Sequence, residues 1–411
     1  MRVRIERLVY NGYGMGRDQS GKVLFIPYTA PEDLVRVRIT KEHRDFAFAE
    51  VVELLEPSPH RTDPQCPHFG ICGACQWLHV DYHVQLREKE NILKRELRRA
   101  LQKELEVLPI IPSPCHNYRR RATLFVERRL IGFRAMRSHR VCGIGGCRLL
   151  TENLNRAILV LYRFQELLKK ANSIWMGEDI ESSRLLVLVK AKGKIGEIHR
   201  IYHQIRETTG VEVGLRVEYR KKVSTLGKDR LREELEGATV SYPFGSFFQN
   251  NRYLTPELVK EVLRLVPEGA KVLELFSGCG TFTIPIAKHK AKSITAVEVS
   301  SSSAEALKSS AEEQNINNVR VVKAEAERFL KDCREAFDTV IVDPPRTGLT
   351  EAMTKEIERI APELIIYISC NPTTLARDMA RLKNYKPEHI QPLDMFPNTF
   401  HLETVATLKR I

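Results

Sequence analysis

The chain has 411 residues, 65 of them Lys or Arg against 52 Asp or Glu, and nine cysteines; its 43% hydrophobic share is that of a core-forming protein, not a disordered one. No apolar run approaches the roughly 18 residues of a membrane span, the start Met1-Arg2-Val3-Arg4-Ile5-Glu6-Arg7 alternates charge and is no secretory h-region, and an odd, unevenly spaced cysteine set argues against a disulfide scaffold. The expectation is a cytoplasmic, basic chain of two or three domains with no membrane attachment.

The net charge of +13 is unevenly placed: residues 1–269 hold 46 basic and 33 acidic side chains, whereas residues 270–411 hold 19 of each. Residues 80–140 alone carry 15 basic and 7 acidic groups, among them Arg119-Arg120-Arg121 and the series Arg134, Arg137, Arg140. A neutral rear joined to a basic front reads as a chemistry domain joined to polyanion-binding domains, although any one run could be a solvated face.

In chain order, residues 3–8, 22–28, 33–40 and 46–55 are short β-branched or aromatic runs, with Asn11-Gly12-Tyr13-Gly14-Met15-Gly16 read as a turn between them. Four or five short strands in so few residues suggest a small barrel of the oligonucleotide-binding kind. The region resembles a TRAM domain, a small RNA-binding barrel attached to RNA-modifying enzymes; a purely structural barrel is the alternative. Pro57-Ser58-Pro59-His60 ends it and opens a cysteine loop.

There Cys66, Cys72 and Cys75 form C-x5-C-x2-C, followed about seventy residues later by Cys142 and Cys147. Three thiols among Pro67, Gly70 and Gly73 suit a loop wrapped around a metal. Zinc sites usually show two paired knuckles; three grouped thiolates with a distant fourth fit an iron–sulfur cube better. Spacing alone does not choose between Cys142 and Cys147. Residues 83–104 read as an amphipathic helix with Leu86, Ile92, Leu93, Leu97, Ala100 and Leu101 on one face. Strands and helices mix from 105 to 235 in no assignable topology.

Residues 270–411 alternate strand-like runs at 271–276, 293–297, 319–322, 339–342 and 364–369 with helix-length segments, and 405–408 closes the chain. This pattern implies a parallel, doubly wound sheet that binds ligands at the carboxyl ends of its strands. Val272-Leu273-Glu274-Leu275-Phe276-Ser277-Gly278-Cys279-Gly280-Thr281 runs from strand into a Gly-rich turn and then a helix. It is not G-x-G-x-x-G, so a dinucleotide is disfavoured, while Glu298, about twenty residues on, suits a ribose diol. An adenosine ligand without a pyrophosphate fits, with S-adenosylmethionine the common case.

Two further strand ends carry Asp343-Pro344-Pro345-Arg346 and Ser369-Cys370-Asn371-Pro372. Cys370 lies past its strand at a helix opening, where the helix dipole is expected to favour the thiolate. A thiolate beside a methyl donor points to methylation of C5 of a pyrimidine: addition to C6 makes C5 enolate-like, and a base must later remove the C5 proton. Cys370 is the candidate nucleophile, Asp343 or Gln249 could hold the pyrimidine edge, and Glu403 is the candidate base. The target base would be flipped out of the RNA, with Phe244-Gly245-Ser246-Phe247-Phe248-Gln249 available to stack on it.

Together these motifs resemble the RNA uridine-5-methyltransferase family over nearly the whole chain. The most specific pieces are Ser369-Cys370-Asn371-Pro372-Thr373-Thr374-Leu375-Ala376-Arg377-Asp378 and His401-Leu402-Glu403-Thr404. The resemblance implies Cys370 as nucleophile and Glu403 as proton acceptor. It implies cofactor contacts at Gln249, Phe276, Thr281 (where the family usually has Asn), Glu298 and Asp343. It also implies a 4Fe–4S cluster on Cys66, Cys72, Cys75 and Cys147, choosing Cys147 over Cys142. The implied division is a TRAM-like barrel over 1–57, a central α+β RNA-binding domain with the cluster loop over 58–235, and a Rossmann-like class I methyltransferase domain over 236–411. The implied substrate is transfer RNA, at the T-loop uridine, or large-subunit ribosomal RNA, with the T-loop slightly favoured. An RNA cytosine-5-methyltransferase and a non-catalytic RNA-binding iron–sulfur protein are the rivals from other classes.

Overall fold

The computed structural model describes residues 1–411. Strands Arg2–Leu8, Tyr13–Arg17, Val23–Pro27, Leu34–Glu42 and Phe46–Glu56 close into a barrel. Its interior is filled by Val3, Ile5, Leu24, Ile26, Val35, Val37, Ala47 and Ala49, the alternate residues of their strands. The stretch expected as a turn is largely a strand. Gly14 and Gly16 lie inside it because the neighbouring chain comes too close for a side chain: a Cβ on Gly14 would stand 2.1 Å from Thr29 Oγ1, and one on Gly16 2.5 Å from the Arg4 carbonyl.

The helix Tyr82–Leu101 begins at Asp81, whose carboxylate accepts from the His83 and Val84 N–H groups. Its apolar face packs Leu93 and Leu97 into the core of the C-terminal domain. Lys89, wholly buried, meets Asp394 at 2.5 Å and also donates to the Phe396 carbonyl. The middle of the chain forms a seven-stranded sheet in the order Lys222–Gly227, Glu212–Tyr219, Arg184–Ala191, Ala171–Glu178, Arg121–Glu127, Leu130–Arg134, Val141–Gly143. The hairpin Arg230–Leu235/Ala238–Pro243 then leads into the last sheet.

That sheet has the order Val319–Lys323, Ser293–Glu298, Lys271–Leu275, Thr339–Val342, Leu364–Ser369, Glu403–Arg410, Tyr385–Leu393. The first five strands are parallel, as expected, and Glu403–Arg410 runs antiparallel to both its neighbours, Leu364–Ser369 and Tyr385–Leu393. The order reverses at Lys271–Leu275 and Thr339–Val342, which places a ligand crevice at their carboxyl ends. The fold is therefore the expected one: a small barrel, a central α+β region and a Rossmann-like sheet. No helix is long and apolar enough to cross a membrane.

Candidate active site

The first half of the site is built by the turn after Lys271–Leu275. Phe276 there adopts a left-handed backbone, φ +63°, rare for a large side chain. Gly280, at φ +92°, has no room for a Cβ, which would lie 2.9 Å from Leu307. Gly278 faces open space, and its N–H donates to Glu298 Oε2 at 2.9 Å while the Ser300 N–H donates to Oε1 at 2.7 Å. The Glu298 carboxylate is thus fixed by backbone with lone pairs left over. Glu274, one strand position before Leu275, lies deeper: it is buried, accepts from Thr283 Oγ1 at 2.6 Å, and burial pushes its carboxyl up to about 8.

Phe276 separates two spaces. On one side is a slot of about 280 Å³ lined by Phe276, Val297, Val299, Ala324, Glu325 and Met353. On the other is a cleft of about 1590 Å³ that reaches the central domain. Gln249, Phe276, Glu298, Asp343, Cys370 and Glu403 all line this cleft; Thr281 does not.

Gln249 is carried by the segment after Ala238–Pro243, held from the central sheet. Arg121 Nη1 donates to the Gln249 carbonyl at 3.0 Å, and its guanidinium lies 4.7 Å from the Tyr242 ring and 4.9 Å from that of Phe248. Arg120, wholly buried, bonds Glu233 and Tyr242. Two of the three arginines in Arg119-Arg120-Arg121 are thus internal braces, with Arg121 pushed down to about 10 by burial. The Gln249 amide reaches Asp343 Oδ2 at 3.4 Å.

The second half follows Thr339–Val342 and Leu364–Ser369. Asn371 caps the helix Pro372–Arg381, accepting from the Thr373 N–H at 3.1 Å, and its amide donates to the Arg346 carbonyl at 2.9 Å. Asp378 lies buried beneath, accepting from the Leu349 N–H at 2.7 Å and the Tyr367 hydroxyl at 2.8 Å. These bonds fasten the loop of Asp343 to that of Cys370, which accounts for the polar part of the motif after Cys370.

Burial raises all three acidic groups at this junction: Asp343 to about 7, Cys370 to about 12, and Glu403 well above the carboxylate range. Asp343 raises Glu403 further, and both carboxylates raise Cys370. The expected thiolate is thus not favoured by its surroundings. Cys370 precedes the capping residue, and desolvation with two acidic neighbours outweighs the helix end. Arg346 is the opposing charge, lowering both Cys370 and Glu403. It donates to His401 Nε2 at 3.1 Å, and burial first, then Arg346, holds that imidazole neutral, down to about 3. From the barrel, Tyr10 packs edge-on against Phe400 at 5.2 Å, and its hydroxyl feels Cys370, Arg346 and Glu403. Arg346 and His401 stand in the quoted motifs without an assigned role, and nothing in the sequence signals Tyr10.

The cleft's central-domain wall carries the cations Arg119, Arg134, Arg137 and Lys190, and Phe247, 75% exposed, projects beside Gln249. Behind it lie the cysteines. Cys66, Cys72, Cys75 and Cys147 are within electrostatic reach of one another, and Cys142 of Cys72 and Cys66. Burial raises Cys72 to about 11, while the Ala74 N–H favours its thiolate, as the Leu149 and Leu150 N–H groups do at Cys147. No three of these side chains close tightly enough to enclose a single metal ion.

The family described as tRNA (Uracil-5-)-methyltransferase matches residues 196–411, and the TRAM domain matches residues 1–52. The chain belongs to the RNA uracil-C5-methyltransferase family. Among its relatives is the tRNA (uracil(54)-C(5))-methyltransferase of Pyrococcus furiosus, 35% identical with the whole of both chains covered. The 23S rRNA (uracil(1939)-C(5))-methyltransferase of Histophilus somni is 29% identical, covering 99% of this chain and 95% of its own. The crystal structure of Pyrococcus abyssi tRNA (uracil-54, C5)-methyltransferase in complex with S-adenosyl-L-homocysteine superposes with a TM-score of 0.79 at 28% identity, covering 99% of this chain and 100% of that one. Family members matched over full length thus act, by name, on uracil C5 of transfer or ribosomal RNA.

Proposed function

We propose that this protein transfers a methyl group from S-adenosylmethionine to C5 of the T-loop uridine of transfer RNA. The observation that carries the reaction is the meeting of Cys370, Glu403, Asp343 and Gln249 in one cleft beside the Gly-rich turn. The methyl donor supplies an electrophilic methyl on a cationic sulfur. Glu298, held by two backbone N–H groups, accepts from the ribose hydroxyls; Phe276 borders the slot that takes the adenine; Gln249, Asp343 and, by resemblance alone, Thr281 complete the cofactor contacts. A cation beside Asp343, Cys370 and Glu403 favours their ionised forms. Ionised Cys370 then adds to C6 of the flipped uracil, whose edge Asp343 or Gln249 holds and whose face meets Phe247. C5 takes the methyl, Glu403 takes the C5 proton, and the Cys370 sulfur leaves C6 as the double bond re-forms.

The T-loop is preferred over large-subunit ribosomal RNA on the higher identity to the Pyrococcus furiosus transfer-RNA enzyme and the full-length superposition on that of Pyrococcus abyssi. The test is incorporation of labelled methyl into transcribed transfer RNA and 23S fragments, digested to nucleosides. Label in 5-methyluridine from transfer RNA is expected. Label confined to the 23S fragments selects the ribosomal reading, and label in 5-methylcytidine overturns both.

Cys66, Cys72, Cys75 and Cys147 suit a 4Fe–4S cluster. Cys72 is buried and Cys66, Cys75 and Cys147 are half-buried, all within electrostatic reach of one another, with N–H donors at Cys72 and Cys147 and Arg119 to compensate thiolate charge. When bound, the cluster would join the loop of residues 66–75 to the segment of Cys147. Anaerobically purified protein should carry iron and sulfide in equal amounts; zinc alone would refute this.

A further inference from the structure

Outward positions on barrel strands are usually polar, but three adjacent strands here carry rings on the outside. Tyr13, Phe25, Phe46 and Phe48 are half-buried, alternating with the interior Leu24, Ile26, Ala47 and Ala49. The register sets Phe25 opposite Phe48 and Val23 opposite Phe46. The rings form one stripe: Tyr13 to Phe48 at 5.3 Å, Phe48 to Phe25 at 5.7 Å, Phe25 to Phe46 at 5.7 Å, and His43 stacked on Phe46 at 4.5 Å with a 22° tilt. The stripe does not end at the barrel. The exposed Arg137 of the central domain lies 4.4 Å over the Tyr13 ring and lines the cleft that holds Cys370. Exposed Lys41 and Arg44 flank its far end.

We infer that this stripe, continuous with the cleft through Arg137, seats unstacked bases of the single-stranded RNA segment adjoining the target uridine. The inference rests on the reading of the cleft as an RNA-modifying site. A row of rings gives every base a stacking partner irrespective of sequence, and flanking cations meet the phosphates between them. Flipping one base out of a structured loop leaves its neighbours unstacked, and the stripe is placed to receive them.

Two measurements on the full-length protein test this. A short labelled oligouridylate titrated by fluorescence anisotropy should bind Phe25→Leu/Phe48→Leu about tenfold or more weaker than wild type. The dependence on salt should keep its slope, because no phosphate contact is removed, whereas Arg137→Ala should flatten it. Leucine keeps the apolar cover but offers no π face, and an unchanged melting midpoint confirms the barrel. Independently of any variant, a 4-thiouridine oligomer photocrosslinked to wild type should attach within residues 13–48. Unchanged affinity of the folded double variant, crosslinks only elsewhere, or a wild-type dimer lost in the double variant would overturn the inference. Methylation of transfer RNA by wild type is scored separately, so failure of the stripe leaves the reaction standing, and absent methylation leaves the crosslink interpretable.

Discussion

Three acidic side chains, from two loops and the start of a strand, with one arginine among them, set how the site titrates. Methyl transfer needs Cys370, so Cys370→Ala should abolish it in the labelled-RNA assay. Glu403→Gln should add to RNA yet fail to release it, leaving a covalent adduct on denaturing gels; prompt release of unmodified RNA would remove Glu403 from the role of base. Arg346 lowers the Cys370 thiol, so Arg346→Met should slow alkylation of Cys370 by iodoacetamide at neutral pH, by roughly tenfold if one pKa unit is lost. Asp343 is held up to about 7 by burial, so its neutral form dominates below that pH. Burial also disfavours the ionised forms of Cys370 and Glu403, so kcat/KM, which reports the free protein, should keep rising with pH through neutrality, and a profile flat from pH 6 to 9 would separate these groups from catalysis. These residues were legible because catalytic groups at strand ends sit in compact motifs. The charge state of Cys370 was not: desolvation by distant segments outweighs a local helix end.

Loops set the spacing of those groups through a few bonds. Asn371 both caps a helix and grips the Arg346 carbonyl, so Asn371→Ala should cost about 1 kcal/mol of capping and depress methyl transfer while the far-ultraviolet spectrum stays the same. Gly280→Ala meets both a left-handed backbone and Leu307, and should weaken S-adenosylmethionine binding measured by calorimetry without touching Cys370. The parallel strands were readable as apolar runs between helix-length segments. The edge strand Tyr385–Leu393 was not, because Pro387 and Pro392 interrupt its pattern; prolines are tolerated where one side of a strand lacks a partner. The strand Tyr13–Arg17 was hidden for the opposite reason, since glycines that signal a turn were required by close approach across the barrel. Phe46 and Phe48 read as ordinary strand residues, because only pairing across strands reveals that their outward faces join.

Across the whole molecule, the charge excess before residue 270 lies partly on the cleft wall and partly inside, in Arg120 and Arg121. Neutralising about four phosphates would still lower RNA affinity roughly a hundredfold between 50 and 200 mM salt, which anisotropy can follow; a flat response would detach the basic wall from RNA binding. Reading the chain as consecutive domains captured the sheets but missed how they are laced together, since a contact between residues hundreds apart leaves no mark in either neighbourhood. The buried pairing of Lys89 with Asp394, 305 residues later, has a consequence for synthesis. At the usual 5–20 residues per second the helix Tyr82–Leu101 waits about 15–60 s after emerging for the segment that covers it. Through that interval its apolar side is open to chaperones and proteases. Ribosome-bound chains stalled before Asp394 should accordingly be cut within this helix by a protease that spares the finished protein.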